Sequence, residues 1–352
     1  MAVREVGIVT MSRHRRRLPS TEGEEFMPPA IAACAPGRPP TRFSVMIPTY
    51  NCAAYLRICL ESVLSQDPGP ETMQIEVIDD CSTLDDPESV VRELAGDRVS
   101  FRRQPQNVGA VGNFNTCIER SAGELVHILH GDDVVLPGFY AAIDQLALDV
   151  PDAGFYATRV HAIDEGGCRS WMSESLAAYT RAASTDLRAF ACGTPIQFVG
   201  TVVRRAAYEA VGGFRPGLAH VADWDMWMRL VVSTGLACID EPLAEYRQFA
   251  ASDTSRLKRT ATNLLDIDRF ASLMSTAEID FDVDSALAKA RLSARLQEHC
   301  FQRLGDHEAA RANHRYWAAR ATTTEYLRWT AGSIRDGLRA KFVPCAGAPD
   351  YR

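Results

Sequence analysis

The chain has 352 residues, 46% of them hydrophobic and 24% charged, with a formal net charge of −7. These values exclude wholesale disorder and a nucleic-acid partner held by overall positive charge. The length suits one large domain with an appendage, or two modest domains.

Residues 1–40, rich in Pro and Arg, are expected to lie outside the folded body as a disordered extension. Their apolar stretch is too short for a secretory signal and its Arg cluster comes after it, while Met11 and Met27 are alternative starts. Order begins at "RFSVMIPTYN", where Phe43–Ile47 predicts a strand ended by Pro48. In "AAYLRICLESVLSQ", Leu56, Leu60, Val63 and Leu64 share one helical face. "MQIEVIDD" predicts a second buried strand that ends in Asp79 and Asp80. A helix over "PESVVRELAG", a short strand at "RVSFRR" and a loop turning helical in "NVGAVGNFNTCIERSAG" follow. "ELVHILH" is the third strong strand, and it stops at Gly131-Asp132-Asp133.

Strands and helices alternating at this length predict βαβ units and a mainly parallel sheet, whose ligands bind beyond the carboxyl ends of the strands. Thr49, Tyr50 and Asn51, then Asp79 and Asp80, then Asp132 and Asp133 all fall at such ends. From about residue 255 the chain becomes Ala-, Leu- and Arg-rich and reads as helices, with Gly305-Asp306 as an interhelical turn. The last of them carries Arg328, Arg335, Arg339 and Lys341 beside Leu327, Ile334 and Leu338. Packing on neighbouring helices with a solvated basic face is the expectation, and peripheral contact with an anionic membrane is the alternative. No apolar run reaches the roughly 20 residues needed to cross a bilayer. Ten cysteines without C-x-x-C or zinc spacing read as reduced core thiols of a cytoplasmic protein.

Adjacent carboxylates at the end of a buried strand repel one another unless a cation sits against them. Mg²⁺ or Mn²⁺, held by one or two carboxylates and completed by substrate phosphates, meets that need and neutralises a departing diphosphate. In "HVADWDMWMRL" the apolar face of a helix is set by Met226, Trp227 and Leu230, so Asp223 reads either as an N-terminal cap or as a general base.

Six blocks, "FSVMIPTYN", "IEVIDDCST", "NVGAVGNFN", "GELVHILHGDDVVLPG", "FVGTVVRRAAYEAVGGF" and "ADWDMWMRL", come in the order seen in family 2 glycosyltransferases, over about residues 41–250. The resemblance implies an inverting enzyme of the GT-A type: a Rossmann-like, mainly parallel sheet flanked by helices. The expected division is a GT-A domain over 41–254 and a helical C-terminal region over 255–352. It also implies roles. Pro48, Thr49, Tyr50 and Asn51 belong to the nucleotide loop, with Pro48 and Tyr50 flanking the base and Asp80 accepting a hydrogen bond from it. Asn107, Gly109 and Asn113 shape the donor pocket; Asp132, Asp133 and His130 fall at the metal-binding element; Asp223 is the general base, with Asp225 the competitor. Trp224 either stacks on a sugar or belongs to the core, and Arg247 pairs either with phosphate oxygens or with a surface carboxylate.

Two positions depart from the family pattern. His130 stands where its D-x-D element has the first Asp, and Phe249 where a His is usual. A non-catalytic nucleotide-sugar binder is therefore an alternative. A nucleotidyltransferase is disfavoured by the lack of a glycine loop in "PTYNCAAYLR", and a dinucleotide oxidoreductase by the lack of G-x-G-x-x-G. The expected partners are a nucleotide-diphosphate sugar, preferably a UDP-sugar, and a saccharide or lipid-linked saccharide acceptor of polysaccharide or glycan synthesis. The sugar, the acceptor and the oligomeric state carry no sequence signal.

Overall fold

The computed structural model describes residues 23, 26–34, 41–179, 184, 187, 190, 193–276 and 281–326. A nine-stranded sheet runs in the order β3-β2-β1-β4-β8-β6-β9-β5, with β7 paired to β6. β1 (Phe43–Thr49), β2 (Met73–Asp79), β3 (Ser100–Arg103) and β4 (Leu125–Ile128) form a parallel half. β8 (Thr201–Arg204) joins them antiparallel to β6 (Phe155–Ile163), which pairs in parallel with β9 (Leu236–Arg247). The short β5 (Val134–Val135) and β7 (Arg169–Met172) lie antiparallel to β9 and β6.

Successive strand residues enter two separate cores, as a period of two requires when both faces are covered. Met46, Ile78, Val126 and Phe155 pack into one; Val45, Ile47, Val77, Leu125 and Tyr156 pack into the other. α1 (Ala53–Leu64) buries Leu56, Leu60 and Val63 against the second core, as its spacing predicts. α2 (Pro87–Ala95) starts with an Asp86 cap and Pro at its first turn, and α3 (Gly109–Arg120) follows β3. α4 (Phe139–Asp149), α5 (Arg205–Val211) and α6 (Ala222–Thr234) complete the layers around the sheet.

Two expectations are corrected. Pro48 lies within β1, paired with Ile78, rather than ending it. Its missing N–H faces the β4 side, yet the two chains stay joined around it, since the Leu129 N–H donates to the Met46 carbonyl and the Gly131 N–H to the Pro48 carbonyl (both 3.0 Å). Part of the segment expected to lie outside the folded body is packed. Phe26 and Ile31 are each only 6% exposed in the first core, and the Arg205 and Arg215 guanidinium groups donate to the Ala32 and Phe26 carbonyls.

After β9 come α7 (Asp253–Arg259), α8 (Thr262–Thr276), α9 (Val283–Arg303) and α10 (His307–Arg320), with the Gly305-Asp306 turn between the last two. α7 and α8 are separate helices because Ala261 takes φ +58. Phe270, Met274 and Ala286 of α8 and α9 share the first core with Trp224 and Met228 of α6. Among the described residues no helix is long and apolar enough to cross a membrane. The basic helix beyond Tyr326 lies outside the described residues. The eight described cysteines are all free thiols.

Candidate active site

The ends of β1, β2 and β4 are laced together by their own backbone. The Asp80 N–H donates to the Thr49 carbonyl (2.9 Å) and the Gly131 N–H to the Pro48 carbonyl (3.0 Å). Gly131 suits that close approach, since a Cβ there would sit 3.1 Å from Thr49 Oγ1 and 3.3 Å from Cys52 Sγ. The three carboxylate-bearing strand ends therefore share one rim.

Asp79 and Asp80 have different duties. Asp79 is fully buried, accepts from Arg103 Nε (2.7 Å) and holds the Ser82 N–H and hydroxyl, so it is a turn residue. Asp80 accepts the Val108 N–H at Oδ1 (2.7 Å) while the Asn107 amide donates to its carbonyl (3.1 Å). Burial raises the Asp80 pKa, partly offset by the Val108 N–H. Gly109, at φ +76, gives its N–H to Asn107 and turns the chain into α3.

Other nucleotide-loop candidates are scaffold rather than exposed surface. Asn51 accepts the Thr83 and Leu84 N–H groups (2.9 and 3.0 Å), tying the β1 loop to the β2 loop. Asn113, 2% exposed, spans the Ile78 carbonyl (2.8 Å) and the Gln104 amide (3.2 Å). Pro48 and Thr49 are buried, whereas Tyr50 is 48% exposed at the rim.

At the β4 end, His130, Asp132 and Asp133 bring one ligand atom each within 4.8 Å of one another. Burial pushes the Asp132 pKa up to about 6; burial and then the neighbouring Asp132 charge push Asp133 well above the usual carboxylate range. Burial drives His130 the other way, to about 4, so its imidazole is neutral at neutral pH. The ring stacks on Phe114 (5.0 Å, 10°) and packs on Phe198 (4.5 Å). Asp133 Oδ1 accepts the Arg247 N–H (2.8 Å), but Asp133 Oδ2 and His130 Nε2 are buried without a hydrogen-bond partner. His130 Nδ1 lies 3.8 Å from the orphaned Asp133 Oδ2, so two carboxylates and a neutral imidazole form a donor set that fits Mn²⁺ or Mg²⁺.

Arg247 is not the surface ion pair that was one of its two expected roles. It is 3% exposed, donates through Nε to the Asp132 carbonyl (2.9 Å) and through Nη1 to the Asp164 carbonyl (3.0 Å), and lies 4.7 Å over the Tyr55 ring. Its guanidinium fixes the Asp132-Asp133 turn instead of pairing with a surface carboxylate. Phe249 packs on the other partner of that contact, its ring 5.1 Å from Tyr55.

On α6 the cap position belongs to Val221, so Asp223 is a residue of the first turn. Asp223 Oδ1 accepts the Trp224 N–H (2.7 Å), and burial raises its pKa to about 6. Asp225 is fully buried in ion pairs with Arg215 Nε (3.0 Å) and Arg229 Nη2 (2.8 Å), which occupies it structurally. Trp224 is a core residue: its indole N–H donates to the Phe190 carbonyl (2.9 Å) and its ring lies 4.7 Å from Phe270. Tyr246, missed by sequence reasoning, has its pKa raised by burial first and then by the charges of Asp133, Asp132 and Asp223. The signal was its place beside Arg247 in "AEYRQF".

A family model described as Glycosyl transferase family 2 matches residues 44–212. An uncharacterised protein of Mycobacterium tuberculosis is 30% identical over 257 residues, which is 68% of this chain and 77% of that protein. An N-acetylglucosaminyltransferase of Mesorhizobium japonicum is 33% identical over 150 residues, 42% of this chain but only 34% of its own length. Two solved structures match at a TM-score of 0.51. One is a Pyrobaculum calidifontis mannosyltransferase in complex with GDP-Man and Mn²⁺ (16% identity, 90% of this chain and 84% of that one). The other is Staphylococcus aureus TarS 1–349 in complex with UDP-GlcNAc (15% identity, 80% of this chain and 93% of that one).

Proposed function

The chain belongs to glycosyltransferase family 2, with the fold of GT-A enzymes, and from that premise we propose an inverting, metal-assisted transfer from a UDP-sugar to an acceptor hydroxyl. The base and ribose of the donor lie against Pro48, Tyr50 and Asp80, in the pocket that Asn107, Gly109 and Asn113 shape from behind. His130, Asp132 and Asp133 would hold Mn²⁺ or Mg²⁺, which when bound supplies positive charge to balance the departing diphosphate.

Asp223 removes the proton from the acceptor hydroxyl as that oxygen forms its bond to the anomeric carbon. The bond from that carbon to the diphosphate oxygen breaks in the same displacement, and the electron pair leaves with UDP. One attack from the face opposite the leaving group inverts the configuration. Arg247 contributes by holding the Asp132-Asp133 turn through its carbonyl contacts.

The observation that carries this reading is the environment of Asp223. It is a carboxylate in the first turn of α6 with a pKa raised to about 6 by burial, while Asp225 is committed to two arginines. A base poised near the working pH is efficient in proton transfer. The test is UDP release from UDP-glucose, UDP-GlcNAc and UDP-galactose with Mn²⁺. Asp223→Asn should lower turnover about 10²–10⁴-fold with UDP binding retained. Equal turnover in the variant and the wild-type protein would remove Asp223 from the base role.

A further inference from the structure

α9, a helix of 21 residues, has two working sides. One faces inward: with Asp223 and Ile267, its Ala286, Ala290 and Ser293 line a cavity of about 260 Å³ beside the candidate base. The adjoining side faces solvent. There Ala288, Leu292 and Leu296 follow at successive turns, and the two leucines are 60% and 55% exposed. The stripe continues through His299 to Arg303 at the three- and four-residue steps that keep side chains on one face. Positive charge extends onto the next helix, where Arg311 and Arg315 of α10 are exposed; neither they nor Arg303 pairs with a carboxylate among the described residues. From Val283 to Arg320 the sequence holds seven Lys and Arg against four Asp and Glu, in a chain whose net charge is −7.

We propose that this outer face of α9 docks the protein on an anionic lipid bilayer, with Leu292 and Leu296 entering the interface and Arg303, Arg311 and Arg315 meeting lipid phosphates. Charge selects the occupant. Leucines left in water need an apolar cover, and the cations beside them need that cover to be negative. A second copy of this chain brings the same cations. The segment beyond Tyr326 brings Arg328, Arg335, Arg339, Lys341 and Arg352 against only Asp336 and Asp350, so like charge opposes both. A helical protein partner needs an apolar groove for its anchors. The cavity next to the stripe, about 230 Å³ between α9 and α10, is instead polar, with Glu298, Gln302, His307, Arg311 and His314 lining it beside Ala310. A bilayer needs no groove. Among the described residues no helix is long and apolar enough to cross one, so the contact is with its surface. Because the two sides of α9 adjoin, a bilayer under Leu292 and Leu296 brings Asp223 close to the membrane, within reach of an acceptor carried on a lipid. Only that consequence rests on the transfer reading; the docking does not.

Cosedimentation of the full chain with vesicles, in the absence of UDP and Mn²⁺, tests this. Vesicles of phosphatidylcholine mixed with phosphatidylglycerol should bind the wild-type protein about tenfold more tightly than pure phosphatidylcholine, and high salt should erase the difference. Leu292→Glu combined with Leu296→Glu should weaken binding to the mixed vesicles about tenfold or more at an unchanged melting point. Arg303→Glu combined with Arg311→Glu should remove the preference for the anionic lipid. Leu148→Glu, at a leucine of α4 that is 62% exposed, controls for added negative charge and should leave binding near the wild-type level. Binding to neither vesicle, equal binding to both, or an equal loss in Leu148→Glu would each overturn the proposal. Binding that survives both leucine substitutions at a native melting point also overturns it, assigning the contact to residues beyond Tyr326. So does self-association in sedimentation equilibrium that the leucine substitutions dissolve, since the face is then an interface between copies. Absence of UDP release with vesicle binding intact sinks the transfer reading and leaves this docking face standing.

Discussion

At the scale of single residues, the site works by keeping carboxylates where they are uncomfortable. Asp223 titrates near 6 because burial penalises its charge, so the folded protein holds that proton more tightly than the unfolded chain does. Its stabilising share is complete below the unfolded carboxylate pKa of about 4 and is lost as the pH rises through about 6. Asp223→Asn should therefore be more stable than wild type by about 2 kcal/mol at about pH 8 and equal to it at about pH 4, read by denaturant unfolding. Transfer should show the mirror image, rising with pH through about 6 as the base form fills. Two positions along, the sign reverses. Asp225→Ala strips two buried arginines of their partner and should cost about 3–5 kcal/mol at neutral pH, a loss that Asp223→Asn does not share. If both variants unfold alike, the division of labour between these aspartates is wrong. At the proposed metal-ligand cluster, Asp132→Asn should abolish the stabilisation by Mn²⁺, expected for wild type to be about 2.7 kcal/mol at 100 times the dissociation constant and read as a rise in melting point.

At the scale of elements, strands and helices from Phe43 to Arg120 were legible because each carries one strong period and an unambiguous stop. β2 is a run of apolar residues ended by Asp79-Asp80, and α1 shows Leu56, Leu60 and Val63 on one face. Pro48 was misjudged because bonds from Leu129 and Gly131 to the Met46 and Pro48 carbonyls carry the pairing past its missing N–H, and those partners are not written in β1. α4, β6 and β7 carried no isolated signal, since β6 owes its place to pairing with β8 and the distant β9. The rim carboxylates were legible as a group, and only the family resemblance told Asp80 and Asp223 from their neighbours. Nothing local distinguishes Asp79 from Asp80, or Asp223 from Asp225, until Arg103, Arg215 and Arg229 arrive from elsewhere in the chain. The same holds for Asp266, read only as part of a helical run, which caps the entry to α6. Asp266→Ala leaves the Ala219 and His220 N–H groups without their acceptor and should cost about 1–3 kcal/mol. Because that loop aims Asp223, the turnover number should fall while the affinity for UDP stays unchanged, separating this residue from those at the donor pocket.

At the scale of the whole molecule, the candidate active site is braced from both sides by segments that the sequence assigns to its margins. α8 and α9 close the space beside Asp223, and residues 26–34 run under the loop between α5 and α6. Phe26 sits where a Cβ on Gly217 would lie 2.6 Å from its ring, and its carbonyl receives the Arg215 guanidinium that also holds Asp225. Sequence reading set this strap aside because Pro- and Arg-rich composition dominates residues 1–40, and two anchoring apolar residues do not alter a composition. Each buried anchor is worth about 1.5–3 kcal/mol relative to exposure. A chain shortened to begin at Thr41 should therefore lose several kcal/mol of stability relative to one beginning at Phe26, because Phe26 and Ile31 leave the core and Arg205 and Arg215 lose carbonyl acceptors. Its remaining activity should fall through the turnover number, since Asp225 and the start of α6 lose their brace while Tyr50, Asp80 and Asp132 do not touch the strap. Free strap peptide spanning residues 26–34, added back at high concentration, should restore part of the melting point. A shortened chain as stable and as active as the longer one would show that the strap merely covers the surface and that α6 is positioned by α8 alone.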